Sequence, residues 1–262
     1  TNQQYSKYKQ LKNDIGWLNI TLRKVIRDNK VFQLADKKIK TFGFKNVDHL
    51  VQSKAEAQLH SGKLVHSLIR KVQSMGVQVL TQTEVTHFEK INGKIVLQTN
   101  LPVTLQAEQL LICTNAFTKQ LLPDLDVVPA RGQVLVTSPV KNLAFRGAFH
   151  FDEGFYYFRN LGNRVLLGGA RNKAFAEEQS DNMVTTDLIQ NELERFLREV
   201  ILPKKSFTID HRWSGIMGLG GEKMPIIKKI KKDVYCAVRM SGMGVALAPV
   251  VGEIVAHQML SK

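Results

Sequence analysis

The fold is decided near the carboxyl end of the chain, where residues 234–249 read VYCAVRMSGMGVALAP. The first five residues are apolar and predict a buried strand, and the apolar run that follows Gly244 predicts a helix. Gly242 and Gly244 lie between them, where they let backbone amides approach a ligand closely. Because a helix start carries roughly half a positive charge, this turn suits an anionic or electron-rich group. On these residues alone, an ordinary tight turn is the alternative.

Further sequence blocks precede this stretch. Residues 212–217 read RWSGIM, residues 224–227 read MPII, residues 129–133 read PARGQ, and residues 61–76 open with SGKL and end in MG. In type and order, these blocks resemble the D-amino-acid oxidase and glycine oxidase family of FAD-dependent amine oxidoreductases. The resemblance covers the chain from about His60 to its end. It implies hydride transfer from an amine carbon to the flavin.

The pattern of elements predicts α/β and α+β parts in one chain. A partial Rossmann-like parallel sheet of the FAD/NAD(P)-binding type is expected over residues 54–127 and 213–262. An antiparallel-sheet substrate (cap) domain is expected over residues 1–53 and 128–212. The resemblance implies the same division, in which the second part covers the flavin and forms the substrate pocket.

Hydrophobic periodicity gives the individual elements. Residues from Tyr5 onward predict an amphipathic helix of about six turns, residues 31–44 predict short strands and loops, and Asn92-Gly93 predicts a type I′ hairpin turn. The remaining predictions are helices over residues 62–75 and 186–200, the first ending at Gly76, and strands over residues 77–80, 85–91, 94–99, 109–113, 134–137, 148–151, 155–159 and 164–168. Residues 109–113 are apolar on both faces and predict a central parallel strand.

The family's dinucleotide fingerprint is missing from this sequence. A strand followed by G-x-G-x-x-G and a helix normally holds the pyrophosphate, and the one dense glycine cluster, residues 218–221, precedes no helix. We therefore expect a truncated chain that binds FAD weakly or not at all. An apolar surface would then lie open unless another element covers it.

The resemblance implies which residues contact the cofactor. The amides of Met243 and Gly244 are expected to face the flavin N1 and C2 carbonyl, where negative charge accumulates on reduction. For Arg131, a structural salt bridge is at least as probable as a ligand contact. The expected cofactor-binding residues are Arg131, Trp213, Ser214, Gly215, Gly242, Met243, Gly244 and Val245.

Tyr157, Arg159, Arg212 and Met217 are the candidate substrate-binding residues. Tyr157 and Arg159 alternate along a predicted strand, so both can point at a substrate carboxylate; an aromatic core residue beside a surface arginine is the alternative. Arg212 can also simply stack on its neighbouring tryptophan. The sequence departs from the family where Met217 and Gly242 replace arginines.

Asn115 stands where the family has glycine, although asparagine tolerates the left-handed conformation. Among the histidines, His60 is interpreted as a surface turn residue before a helix, and His150 and His211 have no catalytic partners at readable spacing, so no catalytic side chain is assigned. Cys113 and Cys236 are expected in the core, and no metal-ligand spacing surrounds them.

The formal net charge is +14, and the densest basic run is KKIKK at residues 228–232. No aromatic residues interleave with that run as a nucleic-acid stacking platform requires, so a solvated lysine-rich surface is favoured. No apolar run is long enough to span a bilayer, and the start lacks a secretory pattern. We expect a cytoplasmic protein that acts on a small amine or amino acid. The alternatives are a non-catalytic interaction module and a flavin-dependent tRNA-modifying oxidase.

Overall fold

The computed structural model describes the backbone of residues 2–261 and the side chains of residues 8–261. The helices are α1 Asn2–Ile26, α2 Lys37–Phe42, α3 Ser61–Ser74, α4 Asp187–Phe196 and α5 Gly244–Leu260. The strands are β1 Phe32–Leu34, β2 Val51–Ser53, β3 Val85–Ile91, β4 Lys94–Thr99, β5 Thr104–Ala107, β6 Leu110–Ile112, β7 Val128–Thr137, β8 Ala148–Phe151, β9 Tyr156–Leu161, β10 Arg164–Gly169, β11 Ile209–Leu219, β12 Ile226–Lys231 and β13 Val234–Val238. Short 3₁₀ turns occupy Asn115–Gln120 and Arg171–Lys173, and a π-helical turn, Leu197–Ile201, follows α4.

The chain forms two compact units. The first unit contains Thr1–Leu59, Val134–Ala170 and Thr186–Arg212, and the second contains His60–Gln133, Arg171–Thr185 and Trp213–Lys262. The domain boundaries expected from the sequence separate an FAD-binding part from a substrate-binding part, and this functional division stays a prediction.

The first unit is built around an antiparallel sheet. The five-stranded sheet has the order β11-β7-β10-β9-β8; β8, β9 and β10 belong wholly to the first unit, whereas β7 and β11 each continue into the second. Strand β9 pairs antiparallel with both β8 and β10, as the short connections predict. Beneath it, Phe44 makes ring contacts with Phe145, Phe149 and Phe158. The long helix α1 is present, and the Asn19 amide exchanges hydrogen bonds with the Phe32 backbone at 2.8 Å.

The second unit contains the parallel pair that the sequence predicted. Strand β13 pairs parallel with β6 and antiparallel with β12, and all five of its residues are buried. Helix α5 packs Val251 and Val255 against Tyr235 and Ala237 of β13. A separate meander, β3-β4-β5, turns at Asn92-Gly93, where both residues have the positive φ of the expected hairpin turn.

Four local predictions need correction. Residues 77–80 form no strand and are exposed, because a short apolar run becomes a strand only beside a partner that accepts its backbone hydrogen bonds. Residues 31–44 include helix α2 as well as a strand. Strand β6 lies at the edge of its three described strands rather than at the centre. Cys113 is exposed, whereas Cys236 is buried as expected.

Candidate functional site

The turn between β13 and α5 is held in an unusual backbone conformation. Arg239, Ser241 and Gly242 all have positive φ, at 63°, 49° and 77°. The Met240 amide donates to the Asn115 side-chain oxygen at 3.0 Å, and the Ser241 amide donates to the Gly218 carbonyl at 3.1 Å. The second unit therefore fixes this turn from two separate segments.

Asn115 explains a departure from the family pattern. It has a φ of 44°, which glycine adopts freely and asparagine tolerates, and its side chain supplies the acceptor for Met240. A Cβ atom at Gly218 would lie only 2.8 Å from the Asn115 Oδ1 atom. Asparagine and glycine at these two positions thus depend on each other.

Arg239 is the main functional residue that the sequence analysis missed. Only 6% of it is exposed, and its guanidinium donates to the Met224 carbonyl at 2.9 Å and to the Asp126 carboxylate at 2.6 Å. A Cβ atom at Gly220 would lie 2.6 Å from both the Arg239 Cδ atom and the Asp126 carbonyl oxygen. A charged residue directly after a fully apolar strand was the available signal, and it also explains one glycine of the 218–221 cluster.

The amino-terminal end of α5 is partly exposed. The Met243 amide donates to the Met240 carbonyl at 2.8 Å, so this amide, which was expected to face the flavin, is engaged within the turn. The amides of Gly244 and Val245 belong to the first helical turn, where no intrahelical acceptor exists. The Met243 and Val245 side chains are each 52% exposed. The donors that this helix start offers to a ligand are therefore those of Gly244 and Val245.

Strand β11 brings four more of the expected residues into the second unit. The Trp213 side chain is partly exposed, and the buried Ser214 hydroxyl has no hydrogen-bond partner among the described residues. No heavy atom lies within 4 Å of the position of a Cβ at Gly215, and the Met217 sulfur lies 3.5 Å from that position at Gly242. Met217 and the glycine turn are therefore neighbours.

These features fit a flavin ring. The glycine turn with positive φ and the free amides at the start of α5 suit an electron-accepting group, and the unpaired Ser214 hydroxyl lies on the strand that carries Met217 to this turn. The donors come from the chain's own backbone and from Ser214. These donors do not include a set that would bind the pyrophosphate of the cofactor.

For Arg131 the sequence allowed either a structural salt bridge or a ligand contact, and the structure contains the salt bridge. Its guanidinium donates to both carboxylate oxygens of Glu178, at 2.7 and 3.2 Å, and to the carbonyls of Glu177 and Asn182. Both charged residues are almost fully buried, and the hydrogen bond that Arg131 donates to Glu178 raises the pKa of Arg131. Its side chain therefore holds the second unit together.

Tyr157 and Arg159 lie in the first unit on one face of β9, as alternation predicts. The Tyr157 ring lies against Gly168, where a Cβ would be 2.6 Å from it, and burial raises the pKa of the phenol. Arg159 donates to the Leu59 carbonyl, while its buried Nε has no partner among the described residues. This strand therefore keeps a neutral phenol and a partly unsatisfied cation side by side.

Arg212 contacts different residues from those that Tyr157 and Arg159 contact. Its guanidinium pairs with Glu194 and donates to the Gln190 side chain at 2.7 Å, both on α4. The structure thus places Tyr157 and Arg159 in the first unit and Trp213, Ser214, Gly215 and Met217 in the second, where Met217 contacts the glycine turn.

The described part of the chain contains no cluster of side chains that could hold a metal ion. Among the helices that the structure describes, none has the length and apolar character that a membrane crossing requires.

Comparison with known proteins places this geometry in context. Two curated relatives are both probable oxidoreductases OrdL. The protein from Rhizobium meliloti (strain 1021) is 25% identical over 219 residues, which is 81% of this chain and 49% of the relative. The protein from Haemophilus influenzae is 23% identical over 77% of this chain and 47% of its own length. The chain therefore spans about half the length of the curated relatives it matches.

Solved structures share the fold at low identity. L-proline dehydrogenase from P. horikoshii has a TM-score of 0.73 at 20% identity, with 88% of this chain and 65% of that one covered. Iminodiacetate oxidase from Chelativorans sp. BNC1 has a TM-score of 0.76 at 16% identity, with 95% and 68% covered. Glycine oxidase from Geobacillus kaustophilus has a TM-score of 0.73 at 18% identity, with 86% and 62% covered.

The family model of the FAD dependent oxidoreductases called DAO matches residues 25–258, which is most of the chain. The mixed sheets and the parallel β6–β13 pair agree with the fold of the solved structures. The chain is therefore a member of the DAO family of FAD-dependent oxidoreductases.

Proposed function

We propose that the protein to which this chain belongs oxidises the C–N bond of an amino or imino acid. The observation that carries the proposal is the glycine turn fixed by Asn115 and Gly218, with free amides at the start of α5. Family membership supports it, as do the structural neighbours, which are oxidases and dehydrogenases of small amino and imino acids.

Bound FAD would accept the hydride that leaves the carbon next to the substrate nitrogen. The chain's own residues supply position and charge. The amides of Gly244 and Val245 stabilise negative charge at the helix start, and the unpaired Ser214 hydroxyl offers one more donor. Asn115 and Arg239 act as positioning residues because they fix the turn rather than contact the ligand.

The substrate-binding roles of Tyr157 and Arg159 are part of this proposal. A buried guanidinium nitrogen without a partner favours an anionic ligand, because an unsatisfied buried donor is costly. The neutral Tyr157 phenol beside it retains its proton and can donate a hydrogen bond. Arg212 is already paired with Glu194, so we assign it to the stability of the first unit, and Met217 contributes an apolar contact next to Gly242.

We further propose that the adenosine-diphosphate half of the cofactor needs a part of the protein outside residues 1–262. Two observations support this. The chain contains no G-x-G-x-x-G between a strand and a helix, and the second unit exposes apolar side chains that a further layer would normally cover. These exposed side chains include Val65, Leu68 and Ile69 on α3 and Val250 and Ile254 on α5.

Turnover by the complete protein tests the function. We expect its flavin absorbance to bleach anaerobically with at least one of glycine, sarcosine, L-proline or a D-amino acid. Ser214→Ala should lower kcat/KM, whereas Ser74→Ala, a change at the far end of exposed helix α3, should leave it unchanged. A complete protein that binds no flavin would refute the proposal and favour the non-catalytic interaction module.

A further inference from the structure

Helix α1 exposes large apolar side chains on the side opposite to its packed face. Trp17 is 65% exposed and Ile20 is 71% exposed. Lys24 is also exposed, and steps of three and four residues place all three side chains along one face of the helix. We call this surface, made of Trp17, Ile20 and Lys24, the outer face of α1. Tryptophan is enriched where an apolar layer meets water, as at protein and membrane interfaces, so this face is a candidate for binding.

The rest of the first unit fixes the orientation of α1. The Asn19 amide exchanges hydrogen bonds with the Phe32 backbone at 2.8 Å, and the Tyr8 ring stacks on His49 with the ring centroids 4.5 Å apart. Helical periodicity places both contacts on the side opposite Trp17. The partly buried apolar residues on that side are Leu11, Ile15, Leu18 and Leu22. The outer face can turn inward only if these contacts break.

Positive charge surrounds the outer face. From residue 8 to its end, α1 contains four cations, Lys9, Lys12, Arg23 and Lys24, and one acid, Asp14. Among the described residues, none of these four cations belongs to an ion pair. The excess continues beyond the helix, since residues 8–54 contain eleven lysines and arginines and four acidic residues. A partner of this face therefore needs negative charge as well as an apolar layer.

A lipid surface with anionic headgroups has both properties. A helix in such an interface buries tryptophan and aliphatic side chains at the boundary of headgroups and acyl chains, while its lysines and arginines contact the headgroups. A single-stranded nucleic acid needs several aromatic rings along a basic groove, and the outer face has one ring. A second copy of this chain would bring the same cations together, and like charges oppose such pairing. The chemistry of the outer face thus fits an anionic lipid surface best.

We propose that the outer face of α1 binds the surface of a membrane that contains anionic lipids. The helix lies along that surface, with Trp17 and Ile20 at the boundary of the headgroups and Arg23 and Lys24 against the headgroups. This inference does not depend on the proposed flavin chemistry, and it adds a place of action to it. The protein would act at a membrane surface to which it binds reversibly.

Co-sedimentation of the complete protein with lipid vesicles tests the proposal. The probes are vesicles of phosphatidylcholine alone and of phosphatidylcholine mixed with phosphatidylglycerol. We expect binding to the anionic vesicles only, and weaker binding as the salt concentration rises. Trp17→Gln combined with Ile20→Gln should weaken binding at least about tenfold, because the apolar contact is lost. Both side chains are exposed and glutamine is a good helix former, so circular dichroism should show an intact fold.

A pair of charge variants separates the helix from the overall charge. Arg23→Gln combined with Lys24→Gln should weaken binding to anionic vesicles about 10- to 30-fold, because two headgroup contacts are lost. Lys231→Gln combined with Lys232→Gln is the matched control. It removes the same charge from the densest basic run, which lies in the second unit, and should weaken binding less than about threefold. Equal weakening by the two pairs would overturn the proposal.

Tryptophan fluorescence locates the contact. The chain contains two tryptophans, and anionic vesicles should shift the emission of the complete protein to shorter wavelength. Trp17→Phe should abolish this shift and retain vesicle binding, since phenylalanine keeps the apolar contact. The proposal is overturned if the complete protein does not bind anionic vesicles, if it binds neutral vesicles equally, or if the variant with both glutamines at Trp17 and Ile20 binds like the wild type. If that variant instead changes a dimer into a monomer in gel filtration and binds vesicles unchanged, the outer face is a contact between two copies.

Discussion

At the scale of single residues, the turn before α5 depends on a few atoms that fit tightly. Arg239 is buried and bound to Asp126, and Asn115 accepts from Met240. Residues with positive φ cost of order 1–3 kcal/mol each and persist only where the surroundings hold them. The residues around the turn therefore supply the stability that its backbone lacks.

Gly220→Ala should destabilise the protein by about 1–3 kcal/mol, the usual cost of forcing a methyl group into a packed site. The added Cβ would lie 2.6 Å from the Arg239 Cδ atom and 2.6 Å from a backbone oxygen, which cannot move away easily. Urea denaturation measures the effect. Gly252→Ala, in helix α5 with no heavy atom within 4 Å, is the control and should not destabilise. Equal stability of the two variants would contradict the packing described here.

Cys113 should react slowly with thiol reagents near neutral pH. Although the residue is exposed, burial of its thiol raises the pKa, and only the thiolate reacts. Its alkylation rate should therefore keep rising at pH values where the rate of free cysteine has levelled off. Cys113→Ser should abolish the reaction in the folded chain, because Cys236 is buried. A plateau at the same pH as free cysteine would show that the thiol is fully solvated.

At the scale of elements, α5 is apolar on more faces than it buries. One stripe packs on β13 through Val251 and Val255, while Val250 and Ile254 on another face are exposed. A helix that is hydrophobic all round is normally buried. Helix α3 shows the same imbalance, since none of its residues is buried.

Two neighbouring valines of α5 test this packing. Val251 is 6% exposed and Val250 is 56% exposed. Val251→Ala should lower the free energy of unfolding by about 1–3 kcal/mol, because it leaves a cavity against β13. Val250→Ala should change it by less than about 0.5 kcal/mol, as exposed substitutions do. Thermal or urea unfolding of both variants gives the comparison, and a larger loss for Val250→Ala would reverse the assigned orientation of the helix.

At the scale of the whole molecule, the chain has the DAO fold over residues 25–258 and spans about half of its curated relatives. The glycine turn before α5 lies within this range, whereas the G-x-G-x-x-G sequence of a pyrophosphate loop does not occur in the chain. Binding of a dinucleotide usually depends on both. Under the proposed function we therefore expect FAD binding to require protein outside residues 1–262.

Residues 1–262, purified alone, should show no flavin absorbance after gel filtration, because the ring site by itself lacks the pyrophosphate anchor. The same sample should increase the fluorescence of anilinonaphthalene sulfonate, since α3 and α5 expose apolar side chains. The complete protein is the control and should retain FAD and bind less of the dye. Stoichiometric FAD on the short chain would refute this part of the proposal.

The sequence by itself determined the elements whose causes are local. The Asn92-Gly93 hairpin turn needs only residues that accept positive φ, and the strand, glycine turn and helix over residues 234–260 follow from periodicity and from where the glycines lie. Only the tertiary structure decided the rest. Residues 77–80 have the composition of a strand but no described partner, and the contacts of Asn115 and Arg239 are with atoms distant in sequence. Side-chain periodicity reports burial along one element, whereas hydrogen bonds and charge balance between segments are fixed only when the chain brings those segments together.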